Sequence, residues 1–191
     1  MNRLLWVDFL SLALLIRICY IAFSRGILYE SVKLIGVFLA SFLSLQYYSF
    51  FLAELFDKEP FSFNISVLNT ISFFIIFFFT LFIFFFITRG IALIVKSDRH
   101  LLWERIIAII LGILRGSIII SILLFCLLVF FSQRSVERSL SFKVFKKIAP
   151  IAYMKTYPIY KRINSSIKVN KEVFEYYEII KNLPRGNKER Y

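Results

Sequence analysis

The sequence predicts an all-α integral membrane protein, with four transmembrane helices followed by a basic, partly amphipathic-helical tail. Three observations carry this expectation. Hydrophobic residues make up 59% of the 191 positions and the mean hydropathy is +0.75, above the ~45–50% apolar share of soluble domains. Four apolar runs reach the roughly 20 residues that a hydrocarbon layer of about 30 Å requires. After Phe131 the composition changes abruptly: residues 134–191 hold fourteen Lys or Arg against five Asp or Glu, so +9 of the formal +12 charge lies there. The chain therefore divides into a four-span membrane domain, residues 1–133, and a basic tail, residues 134–191.

The first run, Leu5–Phe23, follows Arg3 and could be taken for a secretory leader. Asp8 and Arg17 interrupt it, which favours a span over a cleaved signal. The second run, Leu28–Leu52, carries Gly36, Ala40 and Ser44 four residues apart on one helix face. The third, Ile65–Thr88, contains SFFIIFFFTLFIFFFITRG and has no polar face, as expected of a helix that meets lipid on most sides. The fourth, Ile106–Phe131, repeats the small-residue pattern with Ala108, Gly112 and Gly116. Small residues at this spacing let backbones approach closely, and such packing replaces in lipid the drive that water supplies elsewhere. Both small-residue faces are therefore expected to be helix contacts.

Arg115 lies inside the fourth run, where an isolated charge is costly. Three readings account for it: a contact with Glu30, snorkelling to an interface, or a transport role. Arg17 is deep in the first run with no carboxylate at matching depth, so a neighbouring copy is one source of a partner. Asp8, near a span end, reads as an interfacial charge. Glu54, Asp57 and Glu59 before Pro60 read as a solvated turn. The cysteines, Cys19 and Cys126, fall in different apolar runs and read as small hydrophobes rather than a disulfide.

Two tail segments look amphipathic. In ERSLSFKVFKKIAPI, Leu140, Val144, Ile148 and Ile151 share a face bordered by Lys143, Lys146 and Lys147. In NKEVFEYYEIIKNLPRG, Val173, Tyr176, Tyr177, Ile180 and Leu183 follow helical spacing, Asn170 can cap, Glu172 suits the first turn, and Pro184 with Gly186 should end the helix. Their cations suit anionic lipid head groups at the interface. Nucleic-acid binding is the weaker alternative, since no recognition motif accompanies the charge. The chain lacks G-x-S-x-G, H-E-x-x-H and a Gly-rich phosphate loop, and His100 is its single histidine. No enzyme, metal site or cofactor is expected.

Four local patterns together resemble the colicin V production protein (CvpA) family of bacterial inner-membrane proteins. WVDF places Asp8 where that family has an aspartate opening its first span. RGILYE supplies Arg25, Gly26 and Glu30, matching an Arg-Gly and a glutamate at the start of the second. Tyr47-Tyr48 falls where relatives have aromatic residues ending that span. ERIIAIILGILRG, from Glu104 and Arg105 through Gly112 to Arg115 and Gly116, matches the opening of the fourth. Glu104 replaces the usual aspartate and Ala108 the usual glycine; Asp98-Arg99 is out of register, and Arg17 has no counterpart. The resemblance covers residues 1–131 and implies a non-enzymatic, multi-pass inner-membrane protein associated with colicin V production, a toxin biosynthetic process, supporting export or envelope homeostasis. A small oligomeric channel or transporter lined by Arg17, Glu30 and Arg115 is the alternative, and a membrane anchor whose tail binds nucleic acid is the third. A homo-oligomer or other membrane proteins are the partners to be tested.

Orientation rests on Lys and Arg close to span ends. Arg25, Lys33, Arg89, Lys96, Arg99 and Arg105 lie on the two-loop side. Arg3, Lys58, Arg134, Arg138, Lys143, Lys146 and Lys147 lie on the tail side, which is nearly a tie. Some relatives carry an extracytoplasmic protease domain after the fourth span, and this tips the expectation towards both termini outside the cytoplasm. A fluorescent reporter that matures only in the cytoplasm, fused after Tyr191, is then expected to stay dark, while alkaline phosphatase at the same point is active. A bright reporter with an inactive phosphatase reverses the assignment.

Overall fold

A computed structural model describes residues 6–56, 65–94, 102–129, 139–163 and 169–182. The described residues form seven helices: α1 (Trp6–Arg25), α2 (Ile27–Phe56), α3 (Ile65–Ile94), α4 (Leu102–Val129), α5 (Leu140–Phe145), α6 (Ile148–Ile163) and α7 (Lys171–Asn182). Four of them contain stretches long and apolar enough to cross a membrane: Trp6–Arg25, Ile27–Ser49, Val67–Ile91 and Leu102–Val129. Asp57, Glu59, Asp98-Arg99, Pro184 and Gly186 lie outside the described residues, as does the side chain of Glu54.

α4 is the central span. Half of its apolar window is buried, against 28% for α1 and 22% for α3. It packs against both α1 and α2, and α3 covers the other side of α2. The small-residue faces make these approaches possible, each with a different partner. A Cβ added to Gly112 would stand 2.8 Å from the Ala22 Cβ, and one added to Gly116 2.8 Å from Leu15 Cδ2, so the α4 face seats α1. The α2 face seats α3, because a Cβ on Gly36 would stand 2.7 Å from the Phe84 Cβ, and Ala40 and Ser44 further along are fully buried.

Gly26 alone joins α1 to α2. Its φ of 81° is in the left-handed region, where an L side chain is strained and glycine is not. The chain thereby reverses within one residue, ending α1 and opening α2. On α3, Phe73, Phe77 and Thr80 turn inwards, while Phe78, Phe79, Phe82 and Phe86 are exposed, as an apolar helix against lipid should be. Thr80 and Thr88 each donate to the carbonyl four residues back, so neither hydroxyl enters the apolar packing unsatisfied.

The tail helices fold back onto the spans. Part of their apolar surface joins the core of the bundle. Tyr153, Val173, Tyr176 and Ile180 are buried with Leu45, Tyr48, Phe73 and Phe125 in one cluster, where Phe125 meets Tyr176 edge-on with centroids 5.1 Å apart. In α5 the expected apolar face is also rotated: Leu140 and Val144 are exposed, whereas Ser141 and Phe142 are buried. Asp8 is the reason. Near the span end, as its position suggests, it is buried within the protein, and its carboxylate accepts the Ser141 N–H at 2.7 Å. Together with the Ser139 hydroxyl, which accepts the Phe142 N–H, it fixes the rotation of that short helix against α1 and α4.

A polar seam holds the rest of the tail. The Tyr153 hydroxyl donates to Gln46 Oε1 at 2.7 Å and accepts the Asn170 N–H at 3.1 Å. Asn170 caps α7 by accepting the Glu172 N–H, and its amide nitrogen donates to the Leu45 carbonyl and Ser49. The Tyr48 hydroxyl donates to Glu172 at 2.6 Å, Tyr47 shares a hydrogen bond with Tyr160, and Ser121 accepts the Ala149 N–H. Burial pushes the Tyr153 hydroxyl above its ordinary pKa, although the Asn170 N–H pulls the other way. It therefore remains a neutral donor.

The two glycine contacts differ in what can yield. Leu15 Cδ2 is the end of a flexible side chain, whereas the Ala22 Cβ moves only with its backbone. Gly112→Ala is therefore expected to destabilise the fold by about 1–3 kcal/mol, the usual cost of overpacking, and Gly116→Ala by less. Unfolding midpoints in detergent check the order; equal midpoints for the two variants would contradict the close α1–α4 contact.

Candidate functional site

At the end of the spans away from the tail, α1, α2, α3 and α4 enclose a cavity of about 870 Å³. Four cations line it: Arg25 at the end of α1, Lys33 on the first turns of α2, Arg89 near the end of α3, and Arg115 inside α4. Among the described residues, one carboxylate is seen to answer them. Glu30 is fully buried, with Oε1 2.8 Å from Lys33 Nζ and Oε2 2.7 Å from Arg115 Nη1.

Helix geometry brings these groups together. Gly26 starts α2, so Glu30 lies one turn into the span and Lys33 follows on the same face at i+3. Arg115 starts deeper. Its neighbour Gly116 packs against Ile18, seven residues or about 10 Å along α1 from Arg25. The Arg115 side chain, 8% exposed, reaches back from that depth to Glu30. Snorkelling and pairing are thus one geometry here: the guanidinium travels towards the rim and finds its counter-ion on the way.

The family-motif residues fall into separate groups. Arg25, Glu30 and Arg115 meet at the cavity, with Gly26 setting the turn between the first two. Arg105 lies over the Phe23 ring at 5.2 Å, where α4 begins beside the end of α1, and Glu104 is half-buried next to it. Asp8 is at the opposite end, holding α5. Arg17 is exposed on α1 and is not part of this cavity, where Arg115 stands beside Glu30. Gly112 and Gly116 form the α1 seat and Gly36 the α3 seat, Ala108, Ala40 and Ser44 being buried in the same rows; Gly36 also lines the cavity.

Sequence reasoning missed Lys33 and Arg89 as site residues and treated them only as charges near span ends. The i,i+3 spacing of Lys33 from Glu30 was a usable signal. Arg89 offered none, because its approach to the cavity depends on how α3 packs on α2. Its guanidinium stands 4.8 Å from the centroid of the Phe85 ring, a distance at which a ring face attracts a cation. The remaining polar groups of the wall are Ser24, Tyr29 and Thr88. Ser24 and Thr88 both donate to backbone carbonyls of their own helices, which leaves those hydroxyls occupied rather than poised beside a base. Among the described residues no group of three His, Cys, Asp or Glu side chains has the arrangement of a metal site.

A family model described as Colicin V production protein matches residues 7–150, which include every span and the start of α6. No curated protein and no solved structure matches the chain.

The ion pair has a directional test. Glu30→Gln leaves Arg115 and Lys33 facing each other without a counter-charge, whereas Arg115→Gln leaves Glu30 still neutralised by Lys33. Removing one partner of a buried pair typically costs about 3–5 kcal/mol. Glu30→Gln is therefore expected to lie at or above that range and Arg115→Gln below it, with the double variant less affected than the sum of the singles. Additive losses of unfolding free energy in detergent would mean that the two charges are held independently.

Proposed function

The chain belongs to the colicin V production protein family, and on that premise we propose that it is a non-enzymatic, multi-pass protein of the bacterial inner membrane. In this reading it supports colicin V export or envelope homeostasis by binding an anion in its cationic cleft. The observation that carries the reading is the imbalance of charge in the cavity: Arg25, Lys33, Arg89 and Arg115 line it, and Glu30 balances only part of them. Glu30 answers Lys33 and Arg115, so Arg25 and Arg89, exposed at the span ends, are left to attract an anion into the cleft.

Binding is favoured over catalysis by the state of the wall. Its serine and threonine hydroxyls are engaged with backbone carbonyls, and both Glu30 oxygens are taken up by Lys33 and Arg115. The tail has a part in the same reading. Its apolar faces belong to the core, and Lys143, Lys155, Lys161, Arg162, Lys171 and Lys181 remain on its outer side to meet anionic head groups.

The test uses a colicin V-producing bacterium that lacks its own member of the family. The intact chain is expected to restore colicin V release. Arg25→Gln with Arg89→Gln, both at exposed positions, is expected to reduce release at least severalfold at equal protein level. Unchanged release from that variant would remove the cleft from the function. Ion flux through the purified protein in liposomes would instead support a channel.

A further inference from the structure

We infer that the ligand of the cleft is an anionic amphiphile, with a phosphate or carboxylate head at Arg25, Lys33 and Arg89 and a hydrocarbon chain along Val37, Leu81 and Ile119. The inference rests on the reading of the cleft as an anion site and names the class of molecule that fits it.

The cavity wall is segregated along α1, α2 and α3. At the rim stand Ser24 and Arg25 of α1, Tyr29 and Lys33 of α2, and Thr88 and Arg89 of α3. Further in stand Ile18, then Gly36 and Val37, then Leu81 and Phe84, and Ile119 of α4. A small anion would fill the rim and leave the inner half to vacuum or to water that finds no polar partners there. A neutral lipid would fill the inner half and leave the rim cations uncompensated. Only a molecule with both parts matches the whole wall.

Size and access agree with this. From Arg89 to Leu81 is eight residues of helix, about 12 Å, against the ~15 Å depth of one leaflet of a 30 Å hydrocarbon core. The volume of about 870 Å³ is within the range of ~300–1,000 Å³ typical of small-molecule sites. α1 and α3 form the two flanks, and they are not among the packed helix pairs of the bundle. A chain can therefore enter sideways between them from the bilayer. Glu30 assigns the head to the rim: its two oxygens already occupy Arg115 and one side of Lys33, leaving the exposed Arg25 and Arg89 to supply most of the charge that an incoming head would meet.

Native mass spectrometry of the full-length protein, released from maltoside micelles, tests this with dodecyl phosphate, inorganic phosphate, dodecylphosphocholine and phosphatidylglycerol as probes. One dodecyl phosphate per chain is expected to bind at least tenfold more tightly than inorganic phosphate or dodecylphosphocholine. Arg25→Gln with Arg89→Gln should weaken it at least tenfold. Retention of phosphatidylglycerol with the same dependence on those arginines identifies a bilayer lipid as the source; retention of dodecyl phosphate alone identifies a single-chain amphiphile. Equal binding of dodecyl phosphate and inorganic phosphate would overturn the amphiphile while leaving the anion site. Binding that ignores the arginine changes would overturn the assignment to this cleft, and no binding of any probe would overturn the anion site as well.

Discussion

The structure depends on how the charge of Arg115 is accommodated inside the bundle. A guanidinium on the central span cannot be left in hydrocarbon, and its neutralisation by Glu30 ties α4 to the beginning of α2. That tie needs α2 to begin at the right depth and angle, which Gly26 provides. It also needs α1 to stand aside from the pair while still covering α4, which the Gly112 and Gly116 seat provides. The Arg-Gly at the end of the first span and the Arg-Gly within the fourth are therefore parts of one arrangement. In each, a cation reaches the cavity and the adjoining glycine allows the backbone geometry that brings it there.

The two ends of the bundle are built on different physics. At the cavity end, charges outnumber their partners and the flanking helices stand apart. At the tail end, polar contacts close one helix on another: Tyr153 on Gln46, Asn170 on Leu45 and Ser49, Tyr48 on Glu172. Each such hydrogen bond contributes only about 0.5–1.5 kcal/mol net. They act beside buried aromatic rings, and together they make one end of the molecule closed and the other receptive. The match of the family model to residues 7–150 extends past the last span into this closed end.

What was legible in the sequence follows from what lipid demands. A span must be long and apolar, so the four spans could be placed, and a small residue every fourth position marks a close contact whatever its partner. The identity of the partner was not legible. Gly112 meets α1 and Gly36 meets α3, and spacing alone cannot choose between helices. Glu30 and Arg115 could be connected because charges in apolar segments need each other. Asp8 could not be read, because its partner is a backbone N–H on a helix 133 residues away. The packing of the tail on the spans was not legible for a related reason: amphipathic spacing reports that a face is apolar, but not which surface covers it. In α5 even the face was wrong, since capping by Asp8 and Ser139, rather than hydrophobicity, fixes the rotation.

The α1–α4 seat has a consequence for the order in which the molecule is put together. Gly112 follows Ala22 by ninety residues, so α1 enters the membrane long before its partner exists. At about 5–20 residues per second of synthesis, it waits roughly 5–20 s with its contact face bare. α2 and α3 are neighbours in the chain and can pair meanwhile. The arrival of α4 then does three things in one step: it fills the gap between α1 and α2, delivers Arg115 to Glu30, and creates the surface on which α5, α6 and α7 close. Until then the single left-handed residue at Gly26 is the pivot about which the first helix is free to swing, and the cavity has no fourth wall.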